Sequence, residues 1–136
     1  MTAITRFEDI EAWKTSRQLT NSIYAHTNQT GFNRDFGLRD QIRRASISVM
    51  SNIAEGFESR TDSQFINFLG MARASAGEVR AQLYIAFDQN YITEEQFNDT
   101  FSKAQTCSRQ IANFIKYLEA NPRQRRVSDD GADYDT

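Results

Sequence analysis

Apolar side chains recur every three or four residues along most of this chain, and this spacing predicts α-helices rather than strands. The first row follows residues 5–8 (TRFE), which have the pattern of a capping box that starts at Thr5. The row fades before Gly31, where glycine offers a helix stop. We therefore predict helix one over residues 6–29. Its apolar row consists of Ala12, Ser16, Leu19, Ile23 and Thr27.

A second row begins at Leu38 and predicts helix two. Several residues here are β-branched, but their three- and four-residue spacing favours a helix over an alternating strand. We expect Gly56 to end this helix, because glycine readily takes up the left-handed conformation of a C-cap. The row consists of Leu38, Ile42, Ala45, Val49 and Ile53.

Two longer rows alternate strictly between four- and three-residue steps, which is a heptad pattern suited to packing at about 20°. Capping-box patterns at Thr61 and Thr93 precede them, and Pro122 marks the end of the last helix. The fold class that follows is all-α, an antiparallel up-down-up-down four-helix bundle with left-handed packing. The two rows are Phe65, Leu69, Ala72, Ala76, Val79, Leu83 and Ala86, and Phe97, Phe101, Ala104, Ser108, Ile111, Ile115 and Leu118.

Charge divides the chain into two parts. Residues 1–122 carry the helical pattern, and residues 123–136 form an Arg-then-Asp-rich tail whose composition predicts disorder. The formal net charge is −2, and it becomes +2 without the four aspartates of residues 128–136. No apolar run approaches the roughly 18 residues of a membrane span, so we expect no membrane association. The polar start lacks a signal peptide, and the lone Cys107 fits a reducing, cytoplasmic location.

The chain carries no recognisable catalytic set. His26 is the only histidine, and no cysteine, histidine or carboxylate stands near it at the spacing of metal ligands. Cys107 lies beside the apolar row of helix four and is expected to pack as a small apolar residue. Phosphate-cradling glycine loops and acylating serine motifs are absent from the sequence. We therefore expect no enzyme activity, no catalytic residue, no metal site and no cofactor.

Arginine supplies thirteen of the sixteen basic residues, and six of them surround helices two and three. Such residues can grip phosphates of RNA or DNA, in contacts that weaken as salt rises. They can equally form structural ion pairs, with Arg44 paired to Asp40 and Arg43 to a glutamate of a neighbouring helix or subunit. The sequence leaves both alternatives open. The candidate nucleic-acid-binding residues are Arg39, Arg43, Arg44, Arg60, Arg73 and Arg80.

A polar group closes helix two. Asn52 and Glu55 can hydrogen-bond backbone groups where the helix ends, which is a common role for such residues. The alternative is a polar contact between subunits. Phe57 and Tyr91 lie near helix ends and are candidates for docking against a neighbouring subunit, whereas the other aromatic residues fit core positions.

Several segments resemble the 23S rRNA intervening-sequence protein family, also called the four-helix bundle proteins. Its motifs are similar to residues 7–13 (FEDIEAW), residues 41–45 (QIRRA), residues 51–56 (SNIAEG) and the third-helix pattern from Phe65 to Leu83. Met50 stands where the family usually has proline, and Gly77 and Arg80 replace a typical leucine and glutamate. The resemblance covers residues 7–118.

This resemblance implies a cytoplasmic bundle that assembles as a ring, with a homopentamer as the expected form. A related protein, the accessory variability determinant of diversity-generating retroelements, uses a basic ring surface to engage reverse transcriptase and nucleic acid. The family has no established catalytic activity. We therefore expect a non-enzymatic oligomeric bundle that binds nucleic acid or a nucleic-acid enzyme through arginine-rich helix surfaces. The alternative is a homo-oligomeric interaction scaffold without nucleic-acid affinity.

Overall fold

The computed structural model describes residues 4–122, which form four α-helices and two short 3-10 turns but no strand. The predicted all-α bundle is confirmed. The prediction of a disordered tail concerns residues 123–136, which lie outside the described part of the chain. The helices are α1 (Glu11–Thr27), α2 (Phe36–Glu58), α3 (Asp62–Asp88) and α4 (Glu94–Ala120), and the 3-10 turns are Phe7–Asp9 and Phe32–Arg34.

Each helix packs against the next one, and α1 closes the bundle against α4. Between α2 and α3, the Ser75 hydroxyl donates to Ser48 Oγ at 3.1 Å and the Gln82 amide donates to Gln41 at 3.1 Å. Partner numbers rise in α3 as they fall in α2, so these two helices run in opposite directions. The same order links α1 and α4 through the pairs Ala12–Cys107 and His26–Thr100. The hand of the supercoil stays a prediction.

The heptad row of α3 is the centre of the core, because every one of its seven side chains is fully buried. In α4 the buried row is rotated from the predicted one. Thr100 and Cys107 are fully buried, whereas Phe97 and Phe101 are only half-buried. Their rings stack on one another at 5.2 Å and extend the flank of the helix instead of pointing at the centre.

The start of helix one departs from the prediction. Residues 7–9 form a 3-10 turn, and the α-helix begins only at Glu11, so the capping box predicted at Thr5 is wrong. The physical reason is burial of Ile10, which has an extended conformation and is 2% exposed. The turn also brings the Phe7 ring edge-on to Trp13 at 5.2 Å. Helix α1 ends at Thr27, two residues earlier than predicted.

The capping boxes of α3 and α4 are both formed and confirm the predicted starts. Thr61 Oγ1 accepts from the Gln64 backbone N–H at 3.1 Å, and the Gln64 side chain accepts from the Thr61 N–H in return. Thr93 and Gln96 form the same reciprocal pair. Both boxes satisfy N–H groups that the first helical turn leaves without partners.

The prediction that Gly56 ends helix two is wrong, because α2 continues to Glu58. The residue is buried inside the helix, and its φ angle is not positive. A Cβ atom at this position would lie 2.7 Å from Cδ1 of Phe65 and 2.9 Å from Cβ of Phe68. Glycine is therefore required for the close approach of α2 to α3, not for a turn.

Candidate interaction surfaces

Arg43 is held within its own chain. Its Nε donates to Thr27 Oγ1 at 2.7 Å, and Nη2 donates to Asn28 Oδ1 at 3.0 Å. The guanidinium also lies 4.5 Å from the centre of the Tyr24 ring. All three contacts are with α1 or the residue after it, where the helix dipole favours a cation. Arg43 thus links the start of α2 to the end of α1. Its partners are Thr27, Asn28 and Tyr24, and not the glutamate that the sequence suggested.

Arg39 is similarly occupied. Its Nε pairs with Asp40 Oδ1 at 2.9 Å, Nη1 donates to the Asn33 carbonyl at 3.2 Å, and the guanidinium lies 4.8 Å from the Phe36 ring. The hydrogen bond from Arg39 lowers the pKa of Asp40. Asp40 therefore pairs with Arg39. The predicted pair of Asp40 with Arg44 is wrong. Arg44 is exposed, and no ion pair to it occurs within residues 4–122.

The arginines of α3 lie on a different flank from those of α2. Arg80 precedes Tyr84 by one turn, and the Tyr84 ring contacts Phe97 and Phe101 of α4 at 5.1 and 5.5 Å. Arg73 stands seven residues before Arg80 and shares its side of the helix. Arg39 and Arg43 face α1, so the structure does not unite the predicted candidates in one stripe. Arg60 lies in the connection between α2 and α3, where its backbone N–H donates to the Gln64 side chain at 3.0 Å.

Two basic residues that the sequence reasoning missed, Arg109 and Lys116, are exposed on α4. Arg109 follows the fully buried Thr100 by nine residues, which is about two and a half helical turns. Arg109 therefore lies on the side of α4 opposite Thr100 and faces outward. Lys116 is seven residues further on and shares this side. Their spacing was a usable signal, but only the packing of α4 beside α3 shows which arginines lie near them.

Arg73, Arg80, Arg109 and Lys116 are called the basic row below. The Phe65 and Phe114 rings meet at 5.4 Å and fix the register of α3 on α4. From that point Arg73 is about 12 Å and Arg109 about 8 Å along the axis, so the two lie at nearly the same level.

The carboxylates in the middle of these helices face other neighbours. Glu78 accepts from Gln82 at 3.2 Å, beside the Gln82–Gln41 contact with α2. Asp99 pairs with Lys103 at 2.6 Å, and Lys103 also contacts Ser22 of α1. The basic row is therefore left without a neutralising acidic side chain along the middle of its flank.

Gly77 lies beside one member of the basic row. Nη2 of Arg80 lies 3.5 Å from the position that a Cβ of Gly77 would take. The guanidinium therefore folds back over the bare backbone of its own helix. This distance is an ordinary van der Waals contact, so a Cβ at position 77 would fit beside the Arg80 side chain.

The face between α2 and α3 is lined by small polar residues that are already tied to one another. The Asn52 amide donates to the Ser48 carbonyl at 2.9 Å, one turn back in α2. Ser48 in turn meets Ser75 of α3. Asn52 therefore belongs to this helix interface and not to a helix-end cap. Glu55 is exposed nearby, while Phe57 is 5% exposed and packs edge-on against Phe65, inside the core of its own subunit.

Beside this polar face, α3 presents an apolar outer surface to water. Met71 is 43% exposed and Ile85 is 48% exposed, although side chains of this type usually lie in the core. Exposed Ala74 and Ala81 stand between them at helical spacing, and exposed Gly70 directly precedes Met71. These five residues are called the α3 ridge below.

His26 and Cys107 serve packing. His26 Nε2 lies 2.7 Å from Thr100 Oγ1, and the Gln29 amide lies 3.3 Å from Nδ1. Burial lowers the pKa of His26, which keeps the ring neutral between these two partners. Burial raises the pKa of Cys107 to about 12, so this thiol is a poor nucleophile. Among the described residues, no group of three histidine, cysteine or acidic side chains is placed to hold a metal ion.

Four packed helices with an uncovered ridge and a basic flank define a small helical-bundle protein. Residues 8–113 match the model of the 23S rRNA-intervening sequence protein family, and the chain belongs to that family. A similar solved structure is that of a protein with unknown function from the S23 ribosomal protein family from Bacteroides thetaiotaomicron. It is 23% identical, with a TM-score of 0.71, over 77% of this chain and 95% of that one, and it supports the fold. No curated protein matches the chain. No helix within residues 4–122 is long and apolar enough to cross a membrane.

Proposed function

We propose that this protein is a non-enzymatic scaffold that works as a homo-oligomer, assembled through the α3 ridge and the polar α2–α3 face beside it. The observation that carries the proposal is the exposure of Met71 and Ile85 on one side of α3, with Ala74 and Ala81 between them and the exposed Glu78 midway along the same side. Large apolar side chains exposed along one helix face and rimmed by polar residues are typical of interaction sites. A second copy of the chain is the partner that every molecule of this protein meets.

The composition of the ridge supports close packing of helices. Ala74 and Ala81 between the two large residues, and Gly70 beside Met71, allow a neighbouring helix to approach the backbone. Burying the exposed half of Met71 or of Ile85 stabilises the oligomer by about 1 kcal/mol for each side chain. The adjacent polar residues lose little conformational freedom on association, because Asn52, Ser48 and Ser75 are already hydrogen-bonded within the subunit. A closed ring of five subunits is the form that the family resemblance implies.

The assembly is tested by placing a charge on the ridge. We expect each of the single variants Met71→Asp and Ile85→Asp to raise the dissociation constant of the oligomer by about 100-fold, because each buries an unpaired carboxylate in the subunit interface. Light scattering after size exclusion, at a fixed micromolar concentration, then gives a mass near the 15.6 kDa of one chain. Ile47→Asp is the matched control: Ile47 is 41% exposed but lies on α2, and its variant keeps the wild-type mass. A monomeric wild-type protein would refute the proposal.

The basic row favours a second candidate function, the binding of a polyanion such as RNA or DNA by the assembled scaffold. The row offers four cations without a carboxylate along its middle, and cations of this kind gain affinity by releasing counterions from phosphates. Reverse transcriptase, or another nucleic-acid enzyme, is a partner implied by the family resemblance alone. Arg39 and Arg43 are left out of this proposal, because each donates two hydrogen bonds inside the chain. Arg109 makes one exposed contact, from Nη2 to Thr106 Oγ1 at 3.4 Å, and keeps its other donors for a ligand.

Fluorescence anisotropy with a labelled single-stranded RNA tests this candidate. We expect Arg73→Gln and Arg109→Gln each to weaken binding and to reduce the slope of log affinity against log salt by about 0.7, the value for one lost contact to a single strand. Arg34→Gln is the control, because Arg34 is exposed and lies in the 3-10 turn far from the row. Equal losses in all three variants would show a general charge effect and would exclude the row as a site.

A further inference from the structure

We propose that the acidic residues 128–136 dock along the basic row of their own chain and compete with polyanions for it. The docking is inferred from the charges of the tail and of the basic row and from the distance between the row and the end of α4. Its effect on polyanion binding rests on the second candidate function. The occupant is thus a named segment of this chain and not a separate protein.

Charge complementarity is the first argument. Asp129, Asp130, Asp133 and Asp135 give the segment four negative charges with no basic residue among them. The basic row has four positive charges, and the nearest mid-helix carboxylates, Glu78 and Asp99, are turned towards α2 and α1. Opposite charges on exposed surfaces attract over about 8 Å at physiological salt.

The tail is long enough to span the distance from the end of α4 to the basic row. Helix α4 ends at Ala120, and Arg109 lies eleven residues before this end, about 17 Å back along the axis. Asp129 follows Ala120 by nine residues, which span up to about 30 Å when extended. The segment therefore reaches Lys116, Arg109 and Arg73 with slack. Arg80 lies about 30 Å from the end of α4, so only the last aspartates reach it. Arg39 and Arg43 lie towards the same far end of the bundle and already have partners.

The order of charges along the tail also matches the bundle. Arg123, Arg125 and Arg126 come first in the sequence after the end of α4, and the negative end of a helix dipole favours cations. The aspartates come next, at the distance of the basic row. A chain that turns back along α4 thus meets an opposite charge at each step.

Docking is measured by distances between two spin labels. One label is attached at Ala132→Cys and the other at Gln105→Cys, an exposed α4 position beside the row. Cys107 does not compete for the label, because it is buried and its pKa is raised to about 12. Labelled chains are diluted with unlabelled ones, so that only distances within one chain count.

At roughly 0.05 M salt we expect a short, narrow distance population, which broadens at roughly 0.5 M salt because the charges are screened. The change of all four aspartates to asparagine should abolish this population at both salt concentrations. Arg73→Gln combined with Arg109→Gln should abolish it too, whereas Arg34→Gln should leave it intact. A distribution that is insensitive to salt, or to loss of the row, would overturn the proposal.

Competition is measured with the labelled RNA. Truncation after Val127 should tighten binding about 3- to 10-fold at low salt, as expected if the tail covers the row for 70–90% of the time. The gain should disappear in the Arg73→Gln, Arg109→Gln background. An equal gain in that background would mean that the tail acts by overall charge, and it would refute competition for the row. If no variant binds RNA, the second candidate function fails, while the spin-label result still decides the docking.

Discussion

Replacing Gly56 by alanine is expected to lower the free energy of unfolding by about 2–3 kcal/mol, although alanine is the better helix former. The added Cβ would lie 2.7 Å from Cδ1 of Phe65 and 2.9 Å from Cβ of Phe68, both shorter than real contacts of this kind. Phe65 is fully buried and meets the Phe57 and Phe114 rings, so it has little room to move. The α2–α3 pair must separate instead, and packing is lost along the most extensive helix contact of the bundle.

Two other glycines in helix interiors provide matched controls. A Cβ at Gly70 would meet no atom within 4 Å, and one at Gly77 would meet only the end of the Arg80 side chain at 3.5 Å. We expect each alanine variant to be more stable than wild type by about 0.5–1 kcal/mol, because alanine lowers the entropy of the unfolded chain. Urea denaturation, with all proteins at one concentration, measures the three changes. A neutral Gly56→Ala would contradict the close approach described for α2 and α3.

Replacing Arg43 by glutamine is expected to lower the free energy of unfolding by about 2–3 kcal/mol. The change removes charged hydrogen bonds to Thr27 and Asn28, and it also removes the contact with the Tyr24 ring. Arg43→Lys should rescue little of this loss, because a lysine cannot donate from two separate nitrogens to both acceptors. Urea denaturation again gives the magnitude.

Arg44→Gln is the control, since Arg44 is the adjacent residue but is exposed and makes no ion pair within the described range. We expect its stability to stay within about 0.5 kcal/mol of wild type. RNA affinity gives an independent check, because the Arg43 variants that remain folded should bind like wild type. A large loss of RNA affinity with no loss of stability would return Arg43 to the nucleic-acid surface that the sequence suggested.

The residues predicted most accurately were those whose signal is local. The capping boxes of Thr61 and Thr93 depend on side chains three residues apart, and both form as expected. The heptad row of α3 is buried throughout, because it is the longest and most regular apolar stripe of that helix. At Thr5 the same local pattern failed, since burial of Ile10 favoured a 3-10 turn and an extended residue over a capped helix.

The candidate site residues were harder to predict, because their roles depend on partners distant in sequence. Arg43 uses acceptors fifteen and sixteen residues away, which no spacing rule within α2 indicates. Gly56 looked like a helix stop, whereas its purpose is set by phenylalanines of the next helix. Arg109 and Lys116 show helical spacing in the sequence, but their relation to Arg73 depends on the register of α3 on α4.

The sequence by itself determined the number of helices, their approximate ends and the buried stripes of α1, α2 and α3, because hydrophobic periodicity and capping act over one or two turns. Only the tertiary structure decided which polar side chains remain available for partners. Side chains with similar sequence surroundings, such as Arg43 and Arg73, have opposite environments, because neighbouring helices satisfy the donors of one and leave the other in water. The same packing left Met71 and Ile85 uncovered, since a helix with more than one apolar stripe can turn only one of them towards its own core.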